Sequence, residues 1–394
     1  MRRLLVIILA LLFAANAFSA DFGFLIDQKI EVIEELFTYT PSINPWFSWN
    51  GDNGFSVYLS AILPYKFSSY SKKDAETSGW KFIPELSRFA FGYQNKRGIS
   101  FEAGRIYYND VLGLAASGLF DGLSFKAVTS IGSISAGAFY TGFLYKETAK
   151  VLMTDNDKEN YQVAWDFNDS FGNYFASQRA LASFRWDIPV GAASTFSFEA
   201  LAQFDLNSKN DAILHSQYGA LQFEIFPVNM IKVTAGALFE AMQNKDGDFS
   251  AAFGALAQVS INLPTVINDQ LSIKIRSASG ALDDTFTPFT PIILNPQGSV
   301  FSGTMAGLTV AAIEYNVRII KSLYAGCEFN YFMRTLDDNS KDEFLYGGEL
   351  FASLAWQPFE DMRVTLGGGA FFPQLGNIDG KTSWKIIAGL ALSL

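Results

Sequence analysis

The stretch 228–277 alternates apolar and polar residues with a period of two. Ile231 and Phe239 fall on one parity, and Lys232 and Glu240 fall on the other. Successive side chains of a strand point to opposite faces of a sheet, so this period predicts β-strands. Three such runs follow one another with little but turns between them. The stretch therefore predicts an antiparallel meander.

The same period continues along the chain and predicts about 18 strands, with 16 possible, each bounded by turn residues. The predicted joins alternate between short turns, such as Gly51-Asp-Asn53, and longer segments. The long segments are 66–81, 146–177, 279–303 and 373–381. Tight turns at one end and long polar loops at the other are typical of bacterial outer-membrane barrels.

The predicted fold class is therefore all-β: a closed antiparallel transmembrane β-barrel with short periplasmic turns and long extracellular loops. In lipid, only a closed sheet leaves no backbone group unpaired. The alternatives are a soluble β-sandwich or a solenoid. A sandwich would have short turns at both ends, and no strict repeat of fixed length supports a solenoid.

The first residues have the order of a secretory signal peptide. Arg2 and Arg3 precede an apolar run, which small residues follow. We predict a signal peptide over 1–20, cleaved near Ala17 or Ala20, and a single barrel domain over 21–394. The alternative, an uncleaved anchor helix, needs ~20 apolar residues, and this run is shorter.

Composition excludes several function classes. A formal net charge of −10 argues against nucleic-acid binding, which needs a basic surface. The single cysteine, Cys327, can form no intrachain disulfide. The only histidine, His215, precedes Ser216, and neighbours on a strand point to opposite faces, so no catalytic pair forms. We predict no catalytic residue, no metal site and no cofactor; Asp155-Asn-Asp157 is better explained as solvated loop charge than as a calcium ligand set.

Charged residues on the polar strand faces are the candidate pore lining. In the predicted strands between 178 and 242 they are Arg185, Asp187, Glu199, Asp205, Glu224, Lys232 and Glu240. In the predicted strands between 269 and 394 they are Lys274, Arg276, Glu314, Arg318, Glu328, Arg334, Glu349, Arg363 and Lys385. The first arc is mostly acidic and the second mostly basic, so we predict a field across the pore. The alternative is a set of cross-strand ion pairs in a wet interior.

Arg105 is a further pore-lining candidate, although its parity conflicts with that role. Phe101 and Tyr107 share its parity and are predicted to face lipid, where a charge costs ~2–4 kcal/mol. Gly104 could mark a bulge that returns Arg105 to the lumen. The alternative is that the arginine lies above the membrane.

The segment 146–177 is the longest predicted loop, and it is rich in aromatic residues. They are Trp165, Phe167, Phe171, Tyr174 and Phe175. So many aromatic residues are unusual in a loop that is only solvated. We predict either that part of the loop folds inward and narrows the pore, or that it forms an outside cap or adhesive surface.

The layout resembles monomeric 16- to 18-stranded outer-membrane channels, in particular substrate-specific porins and alginate-export-type barrels. Ala103-Gly-Arg105 followed by Phe120-Asp-Gly-Leu123 is similar to a Gly-Arg … Phe-Asp-Gly-Leu pair in such barrels. The chain departs from them in ending at Leu394, where an aromatic residue is common. The resemblance implies a location in the bacterial outer membrane, contact with its lipid, and handling by the barrel-insertion machinery.

A barrel of this size leaves an aqueous or loop-narrowed channel. The sequence therefore favours passive diffusion of small hydrophilic solutes through a monomer that is not an enzyme. One alternative is a structural or adhesive surface protein with a blocked lumen. A hydrophobic-substrate transporter is a lesser alternative, because no N-terminal plug segment of useful length is present.

Overall fold

The computed structural model describes residues 20–72, 75–167, 169–207, 213–244, 247–281, 286–335, 344–377 and 379–394. The predicted signal peptide lies outside the described residues except for Ala20, where the first strand begins. Within the described part of the chain, no helix has the length and apolar character needed to cross a membrane.

Almost all regular structure is β-strand. The first strands are β1 (Ala20–Ile33), β2 (Leu36–Asn50), β3 (Phe55–Lys72), β4 (Ala75–Phe82), β5 (Glu85–Gln94), β6 (Ile99–Asn109), β7 (Ser117–Thr129), β8 (Gly132–Tyr140), β9 (Arg179–Pro189) and β10 (Ser194–Asp205). The others are β11 (Leu214–Val228), β12 (Ile231–Asn244), β13 (Phe249–Asn262), β14 (Gln270–Ala278), β15 (Leu308–Ile320), β16 (Leu323–Arg334), β17 (Leu345–Phe359), β18 (Met362–Phe372) and β19 (Ser383–Ser393).

These strands form one closed antiparallel barrel. Apart from β4 and β5, each strand pairs with its neighbours along the chain, and β1 also pairs with β19, from Leu25 opposite Ser393 to Ile33 opposite Lys385. β3 pairs with β5 in its first half and with β4 in its second half. β4 and β5 therefore share one position in the wall, and the barrel has 18 strands, which confirms the predicted fold class.

The break between β4 and β5 falls at Ile83-Pro84. Proline has no N–H to donate to the next strand, so the ladder cannot continue through it. The prediction of a loop over 66–81 is wrong, because β3 continues to Lys72 and pairs with β2 as far as Tyr70 and with β4 as far as Lys72. The three strands together extend this part of the sheet. Cross-strand aromatic pairs stabilise it, because Tyr65 and Trp80 stack with ring centroids 4.5 Å apart.

The two faces of the wall differ in chemistry. Large apolar side chains are exposed on the outer face, as with Phe198 at 36% and Leu221 at 48%, which pair directly across β10 and β11. The next residues on the same strands, Glu199 and Ala220, are buried on the inner face. The alternation of the sequence therefore separates a lipid-like outer coat from an inner face that carries charged side chains such as Glu199.

The connections at the long-loop end carry the remaining structure. Segment 141–178 contains α1 (Lys146–Ala149), α2 (Asp155–Gln162) and a 3-10 turn (Phe171–Asn173); another 3-10 turn (Pro373–Leu375) follows β18. Thr154 and Asp157 form a capping box at the start of α2. The Lys146 Nζ donates to the carbonyl oxygens of Asn160 and Val163 at 2.8 and 2.6 Å, so it caps the end of the helix.

Three segments from this end meet inside the barrel: 110–116, 141–178 and 279–307, the last two without residues 168 and 282–285, which lie outside the described residues. Leu112, Phe289 and Ile292 belong to one buried apolar cluster with wall residues of β5 to β14. Phe289 and Ile292 are fully buried. The main core of the protein therefore lies within the lumen, and loops as well as strands build it.

Candidate lumen and its constriction

The loop 110–116 is shaped by one buried carboxylate. The Asp110 side chain accepts the backbone N–H groups of Leu112, Leu114, Ala115 and Ala116 at 2.8 to 3.3 Å. Burial raises the pKa of the Asp110 carboxyl, while these four donors favour its ionised form. The loop is therefore a rigid turn rather than a solvated connection.

This turn reaches the opposite side of the barrel. The Val111 N–H donates to the Glu199 carboxylate of β10. Leu112 lies against β12, where a Cβ added at Gly236 would stand 2.3 Å from the leucine Cδ2. β6 and β12 are not neighbours in the wall. The contact therefore crosses the lumen, and only a glycine at position 236 leaves room for it.

Segment 279–307 crosses the same space from β14. The Thr290 N–H donates to Glu240 at 2.9 Å, and the Tyr218 hydroxyl donates to the Thr290 carbonyl at 2.7 Å. The Ile292 N–H then donates to the carbonyl of Ala115 at 2.8 Å, which joins this segment to the first loop. The two loops therefore form one obstruction that is hydrogen-bonded to the wall.

A third wall carboxylate holds the far end of the segment. Glu349 of β17 is fully buried and accepts the N–H groups of Ser299, Val300 and Phe301 at 2.7, 3.0 and 2.6 Å. The Phe301 ring packs on Phe332, with centroids 4.4 Å apart. Charge-assisted hydrogen bonds and a buried ring together fix this part of the loop.

Asp205 is part of a buried ion-pair group at the long-loop end. Its carboxylate lies 2.7 Å from Arg179 Nη1, and Asp157 of α2 lies 2.6 Å from Nη2. All three side chains are almost fully buried. Sequence reasoning missed Arg179, although it begins a strand and has the inward parity of Leu181.

The other predicted lining residues lie on the inner wall with varied partners. Arg185 and Asp187 form an ion pair at 2.8 Å. Glu314 and Glu328 stand directly opposite each other on β15 and β16. The Arg334 Nε donates to the Tyr346 hydroxyl at 3.1 Å.

Basic side chains outnumber acidic ones in a cavity beside the loop 110–116. Lys232, Lys274 and Arg276 line a cavity of about 260 Å³ together with Leu112 and Glu224. Lys232 and Glu224 form an ion pair at 2.6 Å, which leaves two cations in excess. The Arg276 Nε is buried and has no hydrogen-bond partner within the described residues.

Two wider cavities open toward the tight-turn end. One, of about 630 Å³, is lined by Arg318 and Arg363. The other, of about 810 Å³, is lined by Arg88 and Lys126. The cavities are therefore larger at the tight turns and smaller where the loops cross.

The predicted return of Arg105 to the lumen is wrong. β6 pairs with β7 without a register shift from Ile99 to Asn109, so Gly104 causes no bulge in that ladder. Arg105 stands in one row with Phe89 and Asp121, and exposed Phe89 marks this row as the outer face. The guanidinium is only 5% exposed, because it binds both Asp121 oxygens at 2.8 and 2.9 Å and the carbonyls of Leu86 and Phe143.

The segment 146–177 divides between the lumen and the rim. Met153 joins the buried cluster inside the barrel. Trp165 and Tyr174 instead form a second cluster with Ile83, over the break between β4 and β5. One part of the segment therefore folds inward, and the other part covers the rim. That the segment narrows the pore stays a prediction.

The loop that sequence reasoning missed is 110–116. It reads as a short join between strands, yet Val-Leu-Gly-Leu-Ala-Ala follows Asp110 with no charged residue. An apolar run in a connection that should be solvated is the signal that it packs inside.

No protein-family model and no curated protein matches the chain. Solved structures do resemble it. Pseudomonas aeruginosa OpdQ aligns with a TM-score of 0.60 and 9% identity over 95% of this chain and 98% of that one. OpdK from the same organism, in complex with vanillate, aligns with a TM-score of 0.60 and 10% identity over 95% and 99%. OccK5 (OpdH) aligns with 0.59 and 9% over 95% and 98%. At this identity the similarity shows that the chain shares the fold of these barrels.

Proposed function

We propose that the protein is an outer-membrane channel for the passive diffusion of small hydrophilic solutes. The observation that carries this proposal is a closed barrel whose apolar face is outside and whose interior, narrowed by loops, contains cavities lined in part by charged side chains. Another OpdK structure is described as that of an outer membrane protein, and this chain shares its fold.

The basic cavity supports a preference among solutes. Most wall acids of the predicted acidic arc are hydrogen-bonded to loops or paired, whereas Lys274 and Arg276 face the narrow cavity. We propose that the pore-lining candidates have two roles. Glu199, Glu240 and Glu349 hold the loops by hydrogen bonds, and the basic residues set the electrostatic potential inside the pore. Anionic solutes are then favoured over cationic ones.

No catalysis is proposed for this interior. The His215 Nδ1 accepts the backbone N–H of Asp205 at 3.1 Å, and the Ser216 side chain is buried on the inner face. The candidate base, His215, and the candidate nucleophile, Ser216, therefore lie on opposite faces of the sheet.

We also propose that residues 1–20 are an export leader, that 21–394 form the single domain, and that the chain works as a monomer.

Planar lipid bilayers test the channel against the surface-protein alternative. The channel predicts stepwise openings with a linear current–voltage relation when purified, folded protein is added. A folded barrel that passes no current would favour the structural or adhesive role.

A further inference from the structure

An uncharged polar trough lies on the inner wall at the tight-turn end, within the cavity of about 630 Å³. It follows one row of paired residues that crosses β13 to β18. The row consists of Asn262, Gln270, Asn316, Gly326, Ser353 and Gly367. We call it the amide trough. Because the row contains no charged residue, its chemistry differs from that of the basic cavity beside Leu112.

Three amide side chains form one side of the trough. The Gln270 Nε2 donates to Asn262 Oδ1 at 2.9 Å, which leaves the Gln270 Oε1 and the Asn262 NH2 group without a partner among the described residues. The Asn316 side chain is exposed and has no hydrogen bond to any described residue. Each amide presents a donor and an acceptor in one plane. That arrangement matches two adjacent hydroxyl groups, because a hydroxyl both donates and accepts.

The floor of the trough lies close to the backbone. A Cβ added at Gly326 would stand 2.8 Å from Asn316 Oδ1, and one added at Gly367 would stand 3.0 Å from Phe351 Cζ. Between these two glycines the row has only the short side chain of Ser353. A ligand can therefore approach the sheet more closely here than at a position that carries a large side chain.

Aromatic rings lie at both ends of the trough. Tyr324 is one inner row nearer the tight turns, and the Arg318 guanidinium lies over one face of its ring, 5.4 Å from the centroid. The tyrosine stays 42% exposed, so its other face is open to the cavity that it lines. Phe351 lines the cavity one inner row farther from the tight turns. Their rings add apolar surface beside the amides.

We propose that the amide trough is a saccharide-binding site, in which the amides bind ring hydroxyls and Tyr324 packs against a sugar ring. A sugar ring needs both kinds of surface, because hydroxyls surround its edge and C–H groups cover its faces. Asn316 and Tyr324 are diagonal neighbours on paired strands, with Cβ atoms about 7 Å apart, so one ring can contact both. The inference rests on the proposed channel function and names a class of solute for it.

The position of the trough fits a channel that must also release its solute. The cavity opens toward the tight-turn end, beyond the loops that cross the lumen. Asn262, Asn316 and Ser353 are exposed, so a sugar replaces hydrogen bonds to water and gains little from each exchange. Weak binding of this kind lets a solute both enter and leave a pore.

Blockage of single-channel current by a sugar tests the proposal. Maltose is added to both sides of the native channel at increasing concentration, and a polyethylene glycol of the same hydrodynamic size is the probe without ring hydroxyls. Tyr324→Ala removes the aromatic ring, Tyr324→Phe keeps it, and Asn316→Ala removes the unpartnered amide. Asn50→Ala is the matched control, because Asn50 lines the cavity of about 810 Å³ in another part of the wall at the same end.

The proposal predicts brief blockages of the native channel whose frequency saturates as the maltose concentration rises. Tyr324→Ala and Asn316→Ala should each raise the concentration for half-maximal blockage roughly tenfold, which corresponds to about 1.4 kcal/mol of binding free energy. Tyr324→Phe and Asn50→Ala should match the native channel. An open-channel conductance close to the native value shows that each variant is folded.

Two results would overturn the saccharide site and leave the channel function intact. One is that maltose blocks the open native channel no more often than the polyethylene glycol does. The other is that Tyr324→Ala and Asn316→Ala have the same half-maximal concentration as Asn50→Ala. A folded native barrel that passes no current would overturn both the channel function and the saccharide site.

Discussion

The buried Glu349 carboxylate offers a direct way to loosen the obstruction in the lumen. It accepts three backbone N–H groups from Ser299, Val300 and Phe301. Glu349→Gln keeps the volume of the side chain but replaces one acceptor oxygen with an NH2 group that cannot accept these bonds. At least one charge-assisted bond is lost and one loop N–H is left without a partner.

The magnitude follows from that loss. A hydrogen bond to a charged group contributes about 1.5–3 kcal/mol. Each 1.4 kcal/mol changes an equilibrium tenfold, so the released state of segment 279–307 should become about 10- to 150-fold more populated. The contacts of Phe301 with Phe332 and Phe371 remain, so release should be brief and reversible.

Single-channel recording detects this change. We expect Glu349→Gln to show frequent short openings to a higher conductance, which the native protein shows rarely. Glu314→Gln is the matched control, because Glu314 is an inner-wall acid with no hydrogen bond to a loop among the described residues. If Glu349→Gln and Glu314→Gln give the same traces as the native channel, the carboxylate does not hold the loop against the pore.

Two further predictions concern selectivity and stability. A triple variant that neutralises bases of the predicted positive arc consists of Arg276→Gln, Arg334→Gln and Arg363→Gln. It should shift the reversal potential in a salt gradient toward cation selectivity, and an unchanged potential would rule out the charged-wall hypothesis. Asp121→Asn should lower the free energy of unfolding by roughly 3 kcal/mol in urea titrations, because it leaves the Arg105 cation buried without its partner. Glu102→Gln breaks an ion pair with half-exposed Arg88 and should lower the free energy of unfolding by less than about 1 kcal/mol. Equal losses in Asp121→Asn and Glu102→Gln would contradict the argument that burial makes the Arg105–Asp121 pair matter more.

The barrel itself could be predicted from the sequence because its physical signal is local. Strand faces alternate with a period of two, and turn residues mark the joins. The meander predicted over 228–277 is formed by β12, β13 and β14, which run from Ile231 to Ala278. Closure of the barrel could also be predicted, because an open sheet edge in lipid would leave backbone groups unpaired.

The constriction could not be predicted in the same way, because it depends on contacts between segments far apart in the chain. Glu199 reads as a lumen-facing acid, and nothing near it shows that Val111 will bind it from across the barrel. Arg105 shows the opposite error. The parity of Arg105 indicates the outer face, but a bulge was predicted because a charge in lipid is costly. In the structure Arg105 stays on the outer face, and the carbonyl of Phe143 accepts a hydrogen bond from its guanidinium.

Solute-driven swelling of vesicles shows whether the barrel passes small hydrophilic solutes. Native protein is reconstituted in vesicles, which are then diluted into isotonic solutions of neutral solutes of increasing size and of small anions. A passive channel predicts rapid swelling with small hydrophilic solutes and faster entry for anions. Permeation should fall sharply once the solutes are larger than the constriction beside Leu112. Vesicles that contain folded barrel but swell with none of these solutes would contradict it.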